Sequence, residues 1–498
     1  MKNGSLLSLS AIAMTLTLGQ KAVAVAEPLS PPLNSAWQYT LLPGSQLIDE
    51  CPVCGRPPIV VPLRGTFQLR LIADNLLFTT YAWESIAWTA GTPGGSFYKV
   101  AGKGTHQIGG EVGLVQDLSL EIHVDDGWTN RLCELTITNG VHGLERRWPM
   151  IQVSVDQTNG TAVQQLHLDL FAAPFHEIWF STTAGFDAGA GQPAVGFVSP
   201  GDLVFSAGRV VKRNNDLTRL LGIMPNVPDL GLDAVDVLPG GEIAFSIEQD
   251  IFSETLGDLH DGDVLSDRGR MVASYATLIG AFVPEPPPMD QGLDALHVMP
   301  NGEIYFSVKE DFFSERLGTQ IRRGDLLSSS GAIIKTNEEL VAPFNPADPK
   351  QDYGLDAFYI WPSGEIWFSV ETTVAGLHFD TYEPGDLLSD QGYVVYRNLD
   401  LLAAFASPDL PTDFGLDALF VVTDTTPPVA APRLLPARVQ VPQGTVWLGW
   451  TGQGRVFRVE KALDVLGPWL PLSPIMTDVE FTDATTGQPQ AFCRVRQW

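Results

Sequence analysis

Acidic residues recur at fixed positions through the middle of the chain, and they are the residues best suited to do chemistry there. Three recur: the Glu of Glu-Ile-x-Phe-Ser, the Asp of Gly-Asp-(Leu/Val) and the Asp of Gly-Leu-Asp. Carboxylates are the ligands that Ca²⁺ prefers, and paired carboxylates serve as general acids and bases. The Ca²⁺ hypothesis rests on the Gly-Asp aspartates and one neighbour, namely Asp202, Asp261, Asp263, Asp325 and Asp386.

The same acids also have a structural interpretation, which we favour over Ca²⁺ binding and over catalysis. An Asp that follows Gly stabilises its own turn by accepting hydrogen bonds from nearby backbone N–H groups. Only Asp261-Gly262-Asp263 adds a second carboxylate to the turn, and the other copies lack it. A residue that recurs in every copy is typically needed for the fold, whereas a catalytic site needs chemically different side chains in one place.

These acids belong to a repeat with a fixed period. The Gly-Leu-Asp tag begins at Gly231, Gly292, Gly354 and Gly415, which are 61 or 62 residues apart. The Glu-Ile-x-Phe-Ser segment begins at Glu177, Glu242, Glu303 and Glu365. From each Gly-Asp aspartate to the next tag glycine is 29 residues in all four cases. Such self-similarity predicts a repeat architecture.

Each repeat is predicted to hold four short strands. In the third copy they are Asp294–Met299, Glu303–Val308, Gly324–Ser328 and Ala332–Phe344, the last broken near Asn337. Four strands per unit are typical of a β-propeller blade, so residues 165–424 are predicted to form a four-repeat β-propeller-like array. A linear solenoid is the alternative. The propeller hypothesis predicts that the terminal strand Gly415–Val422 pairs with Glu177–Ser181 and closes the ring.

The flanking regions are predicted to be β domains as well, which makes the whole chain all-β. Residues 37–164 alternate apolar and polar side chains, as in Leu118, Leu120, Ile122 and Val124, and predict a β-sandwich or a barrel. Residues 432–498 contain short alternating runs such as Val446–Trp450. This segment resembles the fibronectin-III-like or immunoglobulin-like modules of many exported bacterial proteins. The resemblance implies a small sandwich in which Trp450 or Trp469 is a core residue.

Composition predicts an exported protein. Lys2, the apolar run Leu6–Leu18 and the small residues Ala22–Ala26 are typical of a signal peptide over residues 1–26, and no later segment predicts a membrane span. Residues 165–430 hold 40 Asp and Glu against 13 Lys and Arg, an excess of 27 negative charges, which disfavours nucleic-acid partners. The expected location is secreted, periplasmic or at the cell surface.

The four cysteines are expected to form structural disulfides or to remain free thiols. They are Cys51, Cys54, Cys133 and Cys493. Disulfides are the ordinary use of cysteine in exported proteins. Metal or redox chemistry at Cys51-Pro-Val-Cys54 is the alternative, although no second Cys-x-x-Cys completes a zinc site.

The sequence favours a non-catalytic binding or structural protein that recognises a glycan or a protein outside the cell. It contains no nucleophile elbow, no P-loop and no His-Glu-x-x-His segment. The longest loop after Phe-Ser is Thr182–Val198, and Phe186 and Asp187 are its candidate ligand-binding side chains. No cofactor is expected apart from Ca²⁺. The alternative is an extracellular hydrolase or lyase with acids at the propeller axis.

Overall fold

A computed structural model describes most of the chain and shows that it is built from strands. The described residues are 36–75, 77–92, 95–111, 115–137, 142–143, 146, 148–192, 195–224, 229–285, 290–377, 380–410, 412–424, 433–434, 438–440, 445–465, 467–484 and 491–498. Strands hold 50% of the residues and helices 7%, so the class is all-β, as predicted. The predicted signal peptide, residues 1–26, lies outside the described residues.

The N-terminal strands share one sheet. They are β1 (Ala36–Leu41), β2 (Gln46–Glu50), β3 (Ile59–Asp74), β4 (Phe78–Gly91), β5 (Phe97–Gly109), β6 (Val115–Asp125), β7 (Asn130–Thr136), β8 (His142–Gly143), β9 (Ile151–Gln157) and β10 (Gln165–Pro174). The strand order is β1-β10-β2-β3-β4-β5-β6-β7-β9, with β8 on β6 and a further pairing of β9 with β10. Burial alternates along β6 because successive side chains point to opposite faces, and its inward residues join one core with Trp83 and Trp88.

Strand β10 lies in this sheet, although the sequence placed it at the start of the repeat region. It pairs with β1, β2 and β9. Its alternation of half-buried and buried residues matches that of its neighbours and extends through Phe171. The strands of the first repeat therefore begin after Pro174.

The repeats share one order of strands. The first contains β11 (His176–Phe180), β12 (Phe186–Asp187), β13 (Phe197–Val198), β14 (Leu203–Phe205) and β15 (Arg209–Lys212). The second contains β16 (Val235–Leu238), β17 (Glu242–Phe245), β18 (Ile251–Ser253), β19 (Gly257–Leu259), β20 (Val264–Ser266), β21 (Arg270–Ala273) and β22 (Pro284–Glu285). The third contains β23 (Ala295–Val298), β24 (Ile304–Ser307), β25 (Phe312–Ser314), β26 (Thr319–Ile321), β27 (Leu326–Ser328) and β28 (Ala332–Lys335). The fourth contains β29 (Ala357–Ile360), β30 (Ile366–Ser369), β31 (Val374–Ala375), β32 (Thr381–Tyr382), β33 (Leu387–Ser389) and β34 (Tyr393–Tyr396), and β35 (Leu419–Thr423) follows.

Four four-stranded sheets result, each starting with the strand that follows a tag. Their orders are β35-β11-β14-β15, β16-β17-β20-β21, β23-β24-β27-β28 and β29-β30-β33-β34. The short strands between the second and third strands of each sheet form outer hairpins. The predicted pairing of Gly415–Val422 with Glu177–Ser181 is confirmed, because Val422 pairs with Glu177 and Leu419 with Phe180.

The innermost strands touch in a cycle. Strand β16 contacts β23, β23 contacts β29, β29 contacts β35, and β35 contacts β16. Buried hydroxyls link successive sheets, because the serine of each Phe-Ser pair donates a hydrogen bond to the leucine carbonyl of the next tag. These bonds are Ser181 to Leu232 (2.7 Å), Ser246 to Leu293 (3.4 Å), Ser307 to Leu355 (2.7 Å) and Ser369 to Leu416 (2.8 Å).

Each repeat also contains a five-residue helix that the sequence did not reveal. The helices are α1 (Asn214–Thr218), α2 (Tyr275–Ile279), α3 (Asn337–Val341) and α4 (Asn398–Leu402), and three are followed by 3₁₀ turns at Gly280–Phe282, Ala342–Phe344 and Ala403–Phe405. The predicted strand Ala332–Phe344 is thus wrong beyond Lys335. Thr336 and Glu339 form a reciprocal capping box, which begins the helix where a break was expected.

The C-terminal strands form two sheets around a small core. They are β36 (Arg433–Leu434), β37 (Arg438–Gln440), β38 (Thr445–Thr451), β39 (Phe457–Ala462), β40 (Leu470–Pro471), β41 (Glu480–Asp483) and β42 (Phe492–Gln497). Strand β38 pairs with β36, β37 and β41, and β39 with β40 and β42. Trp450 is buried against Phe457, as expected of a core tryptophan.

Both flanking regions contact the end of the repeat sheets opposite the tags. Arg455 of the C-terminal region donates to Asp236 (2.9 Å) and to the carbonyl of Val298 (2.8 Å). Arg146 of the N-terminal region pairs with Glu365 at 2.6 Å, and both side chains are buried. We call this end the module end and the other the tag end.

One disulfide joins the two cysteines of the Cys-x-x-Cys segment, Cys51 and Cys54. Cys133 is a buried free thiol and Cys493 a half-buried one. The two free cysteines lie on strands of different sheets, Cys133 on β7 and Cys493 on β42.

Candidate functional site

The aspartates of the four tags converge at one end of the axis between the repeat sheets. Each stands directly before an alanine, and those alanines, with the residue after each, line a small space on the axis. Because each aspartate occupies the same position in its repeat, next to an alanine on the axis, four side chains about sixty residues apart in sequence lie close together. We call these residues the tag aspartates: Asp233, Asp294, Asp356 and Asp417.

The tag aspartates are buried, and a second tier of side chains surrounds them. Their exposed fractions are 3%, 5%, 6% and 5%. The second tier comes from the position two residues after the repeat serine, and each member stands against a tag glycine, where an added Cβ would meet it within 3 Å. We call these the second-tier residues: Thr183, Glu248, Lys309 and Glu371.

The second tier makes the site asymmetric. The Lys309 ammonium lies 2.7 Å from Oδ2 of Asp233 and 3.9 Å from Oδ2 of Asp261. Glu371 pairs with Arg323 at 2.6 Å. A fourfold arrangement of identical aspartates is therefore surrounded by two acids, one base and one hydroxyl, and its sides are chemically different.

Several carboxyl oxygens in the cluster face one another without a donor between them. One oxygen each of Asp233, Glu248 and Asp417 lie within 4.8 Å of one another. The carboxyl of Asp356 comes within hydrogen-bonding reach of that of Asp417. Apart from neighbouring carboxyls, no group of the described residues donates a hydrogen bond to Oδ2 of Asp294 or to Oδ2 of Asp417. The cluster thus has unused acceptor capacity directed inward.

Burial raises the pKa of the tag carboxyls, because desolvation disfavours their charged form. The pKa of Asp233 rises to about 7 by burial, although the charge of Lys309 opposes the rise. Burial, and next the neighbouring acids, hold the pKa of Asp294, Asp356 and Asp417 well above the usual range. Burial lowers the pKa of Lys309, but the surrounding carboxylates outweigh it and raise that pKa above its ordinary value. The lysine stays charged.

The aspartates proposed from sequence as Ca²⁺ ligands lie elsewhere, except for one. Asp202, Asp263, Asp325 and Asp386 are buried, and each carboxylate accepts from the backbone N–H three residues earlier and from the first N–H of the following helix. Both oxygens therefore tie a turn to a helix start. Asp261 lies beside the axial cluster, near Lys309. Ca²⁺ binding by this set remains a prediction.

The two side chains singled out in the loop Thr182–Val198 have different environments. Phe186 is buried and packs edge-on against Phe405 and obliquely against Phe414. It fills the hairpin position that holds Ile251, Phe312 and Val374 in the other repeats. Asp187 is exposed at the next position. Phe186 anchors the loop and Asp187 is available at its surface.

Sequence reasoning missed two parts of the site. The second tier has no shared residue type, so repetition gave no signal for it. An aspartate two residues before every tag glycine was a usable signal: it recurs at Asp229, Asp290, Asp352 and Asp413. Each accepts a hydrogen bond from the N–H of its tag glycine and so shapes the turn that positions the tag aspartate.

Comparison with known proteins identifies no family. No protein-family model and no curated protein matches the sequence. Among solved structures, the chain is similar to the extracellular domains of two putative hybrid two-component systems from B. thetaiotaomicron. The first is 10% identical over 90% of this chain and 82% of its own, with a TM-score of 0.18. The second is 8% identical over 88% and 76%, with a TM-score of 0.17. Such scores transfer neither fold nor function. Among the described residues, no helix has the length and apolar character needed to cross a bilayer.

Proposed function

We propose that this chain is an exported, non-catalytic binding protein built on a four-bladed β-propeller between an N-terminal β domain and a C-terminal immunoglobulin-like module. The cyclic contacts of the innermost strands support the propeller. The pairing of β35 with β11 supports closure, because the last tag strand completes the first sheet. The serine-to-carbonyl bonds from each sheet to the next support the same arrangement.

The burial of the tag aspartates is our reason for proposing binding rather than catalysis. A hydrolase or lyase must bring its acid and base within hydrogen-bonding distance of the substrate bond. The four tag carboxyls are only 3–6% exposed and are surrounded by the second tier. Such a cluster has room for an ion but not for a glycan or peptide segment, which disfavours the hydrolase or lyase alternative.

The tag end is the binding face we propose. The module end is occupied by Arg455 and Arg146 from the flanking regions. The outer hairpins are the least uniform part of the repeats, and binding commonly resides in loops that vary on a constant scaffold. The loop Thr182–Val198 exposes Asp187 and Phe197. The acid excess of the repeat region favours a protein partner with a basic surface over a nucleic acid.

Loop shortening tests this proposal. Deleting residues 191–194 keeps the Phe186 anchor and shortens the segment from Glu177 to Asp202 to the length of its counterparts, so the melting temperature should change little. Binding to arrayed extracellular proteins and glycans should fall at least tenfold. Asp187→Ala should weaken binding without a change in stability, and Asp348→Ala, an exposed acid in another loop, serves as the control. Unchanged binding by the shortened protein, or turnover of an arrayed glycan, would contradict the proposal.

A further inference from the structure

We propose that the axial carboxyl cluster binds one Ca²⁺ ion, held chiefly by Asp233, Glu248 and Asp417. This site differs from the Gly-Asp aspartates considered from the sequence. It is also independent of the partner-binding role proposed above, because it concerns the interior of the tag end and not the loops.

The geometry of three carboxyls suits an ion of this size. Calcium–oxygen distances of about 2.3–2.6 Å place two ligand oxygens no more than about 5 Å apart. One oxygen each of Asp233, Glu248 and Asp417 satisfies this limit, since all three lie within 4.8 Å of one another. A single ion centred between them would lie within about 2.8 Å of all three oxygens, close to the calcium–oxygen bonding distance.

Unpartnered buried oxygens provide the second observation. Oδ2 of Asp417 and Oδ2 of Asp294 are buried, and apart from neighbouring carboxyls no group of the described residues donates a hydrogen bond to either. A buried carboxylate oxygen without a donor is costly, so native structures rarely leave one. A cation in the cluster removes that cost.

The local charge balance points the same way. Among the described residues, seven carboxyls meet here: the four tag aspartates, Glu248, Glu371 and Asp261. Two bases face them, and both are engaged, Lys309 with Asp233 and Arg323 with Glu371. The ammonium of Lys309 binds Asp233, and its charge also acts on Glu248 and Asp417, so it competes with a cation for the same carboxyls.

The ligand chemistry favours Ca²⁺ over other metals. The donors are carboxylate oxygens, which hard cations prefer, and the ligands named here include no histidine or cysteine. Mg²⁺ requires near-ideal octahedral geometry and retains several waters, whereas Ca²⁺ accepts irregular carboxylate sets. Asp417 leads into β35 and Asp233 into β16, so the ion joins the closing strand to the second sheet.

Calcium titration of the chelator-treated full chain tests the inference. We expect one Ca²⁺ per chain by calorimetry and a rise in melting temperature that NaCl of equal ionic strength does not reproduce. Asp417→Asn and Glu248→Gln should each weaken Ca²⁺ binding at least tenfold. Because they remove repulsion, neither should destabilise the metal-free protein. Glu310→Gln, an exposed acid beside Lys309, is the matched control and should bind normally.

Lys309→Gln separates ion binding from a structural role. Removing the competing ammonium should tighten Ca²⁺ binding severalfold even if the variant melts lower than the parent. The inference is overturned if Ca²⁺ and NaCl stabilise the parent equally, which would mean that shared protons hold the carboxyls together. It is also overturned if both Asp417→Asn and Glu248→Gln bind Ca²⁺ as the parent does.

Discussion

At the scale of single residues, identical side chains acquire their properties from position. The tag aspartates and the Gly-Asp aspartates are both buried and both recur in every repeat. The Gly-Asp carboxylates accept backbone N–H groups at both oxygens, as Asp325 does from Arg322 and Asn337. The tag carboxyls face one another instead. Of the two sets, only the tag aspartates have carboxyl oxygens without an N–H donor among the described residues. Repetition alone therefore does not distinguish a residue that stabilises the fold from one that could bind a ligand.

The raised pKa values predict that the chelator-treated protein loses stability as the pH rises. The carboxyl of Asp233 has its ordinary pKa of 3.8 in the unfolded chain and a pKa of about 7 in the folded protein, so the folded state binds more protons between these values. Stability should be fully present below about pH 4 for this group and should decline through pH 7. The loss is at most about 4 kcal/mol, since one pKa unit equals about 1.4 kcal/mol.

Urea unfolding of the metal-free protein at pH 5 and pH 8 measures this effect. Asp356→Asn removes one of the repelling carboxyls and should make the decline shallower. A stability that increased between pH 5 and pH 8 in the parent would contradict the assignment of the axial carboxyls as the dominant titrating groups.

At the scale of elements, the constant spacing of 29 residues follows from one hydrogen-bonded unit. In the fourth repeat, the N–H of Gly385 donates to Asp413 (3.0 Å), and the Asn398 side chain donates to the carbonyl of Gly415 (3.2 Å). The Gly-Asp turn, the short helix and the tag turn are thus tied together. An insertion between them would break these bonds, whereas the outer hairpin tolerates changes in length.

Gly385→Ala should destabilise the protein by about 1–3 kcal/mol. A Cβ at this position would lie 2.1 Å from Nδ2 of Asn398 and 2.5 Å from Oδ1 of Asp413, so the bonded unit must shift. Gly280→Ala is the control, since it has open space and an ordinary φ, and it should be neutral or slightly stabilising. Equal unfolding free energies for the two variants would refute this account.

At the scale of the whole molecule, the last strand is expected to hold the repeats together as one cooperative unit. Strand β35 pairs with β11, contacts β16 and β29, and follows the tag whose Leu416 carbonyl accepts from Ser369. In the propeller proposed above, this strand joins the fourth repeat to the first sheet and so closes the ring.

Deleting residues 415–422 should therefore loosen all four repeats together. Hydrogen exchange in β17, β24 and β30 should accelerate by similar factors, and the melting temperature should fall as a single transition. Shortening the outer hairpin at residues 377–380 is the control and should affect exchange only locally. Faster exchange confined to the fourth repeat would indicate a linear array.

The amino-acid sequence by itself determined the all-β class, the period of 61 or 62 residues and the pairing of the last tag strand with Glu177–Ser181. These features follow from the local alternation of apolar and polar side chains and from the recurrence of whole segments, both of which can be read directly from the sequence. The sequence assigned residues 165–174 to the repeat region, whereas in the structure this strand pairs with strands of the N-terminal region. The helix at Asn337 escaped notice because five residues are too few for a helical period.

Recurrence in the sequence singled out the tag aspartates among the candidate acids, but only the tertiary structure decided that they form a site. The tag aspartates are 61 or 62 residues apart and meet only because each precedes an innermost strand packed on the same axis. Glu248 and Lys309 share a position but no chemistry, so no pattern linked them before the sheets brought them together. Phe186 likewise carries no local sign of burial until the hairpin places it between Phe405 and Phe414. Sequence periodicity shows which residues are equivalent. Their burial, and the distances between their charged groups, depend on how the four sheets pack in the folded chain.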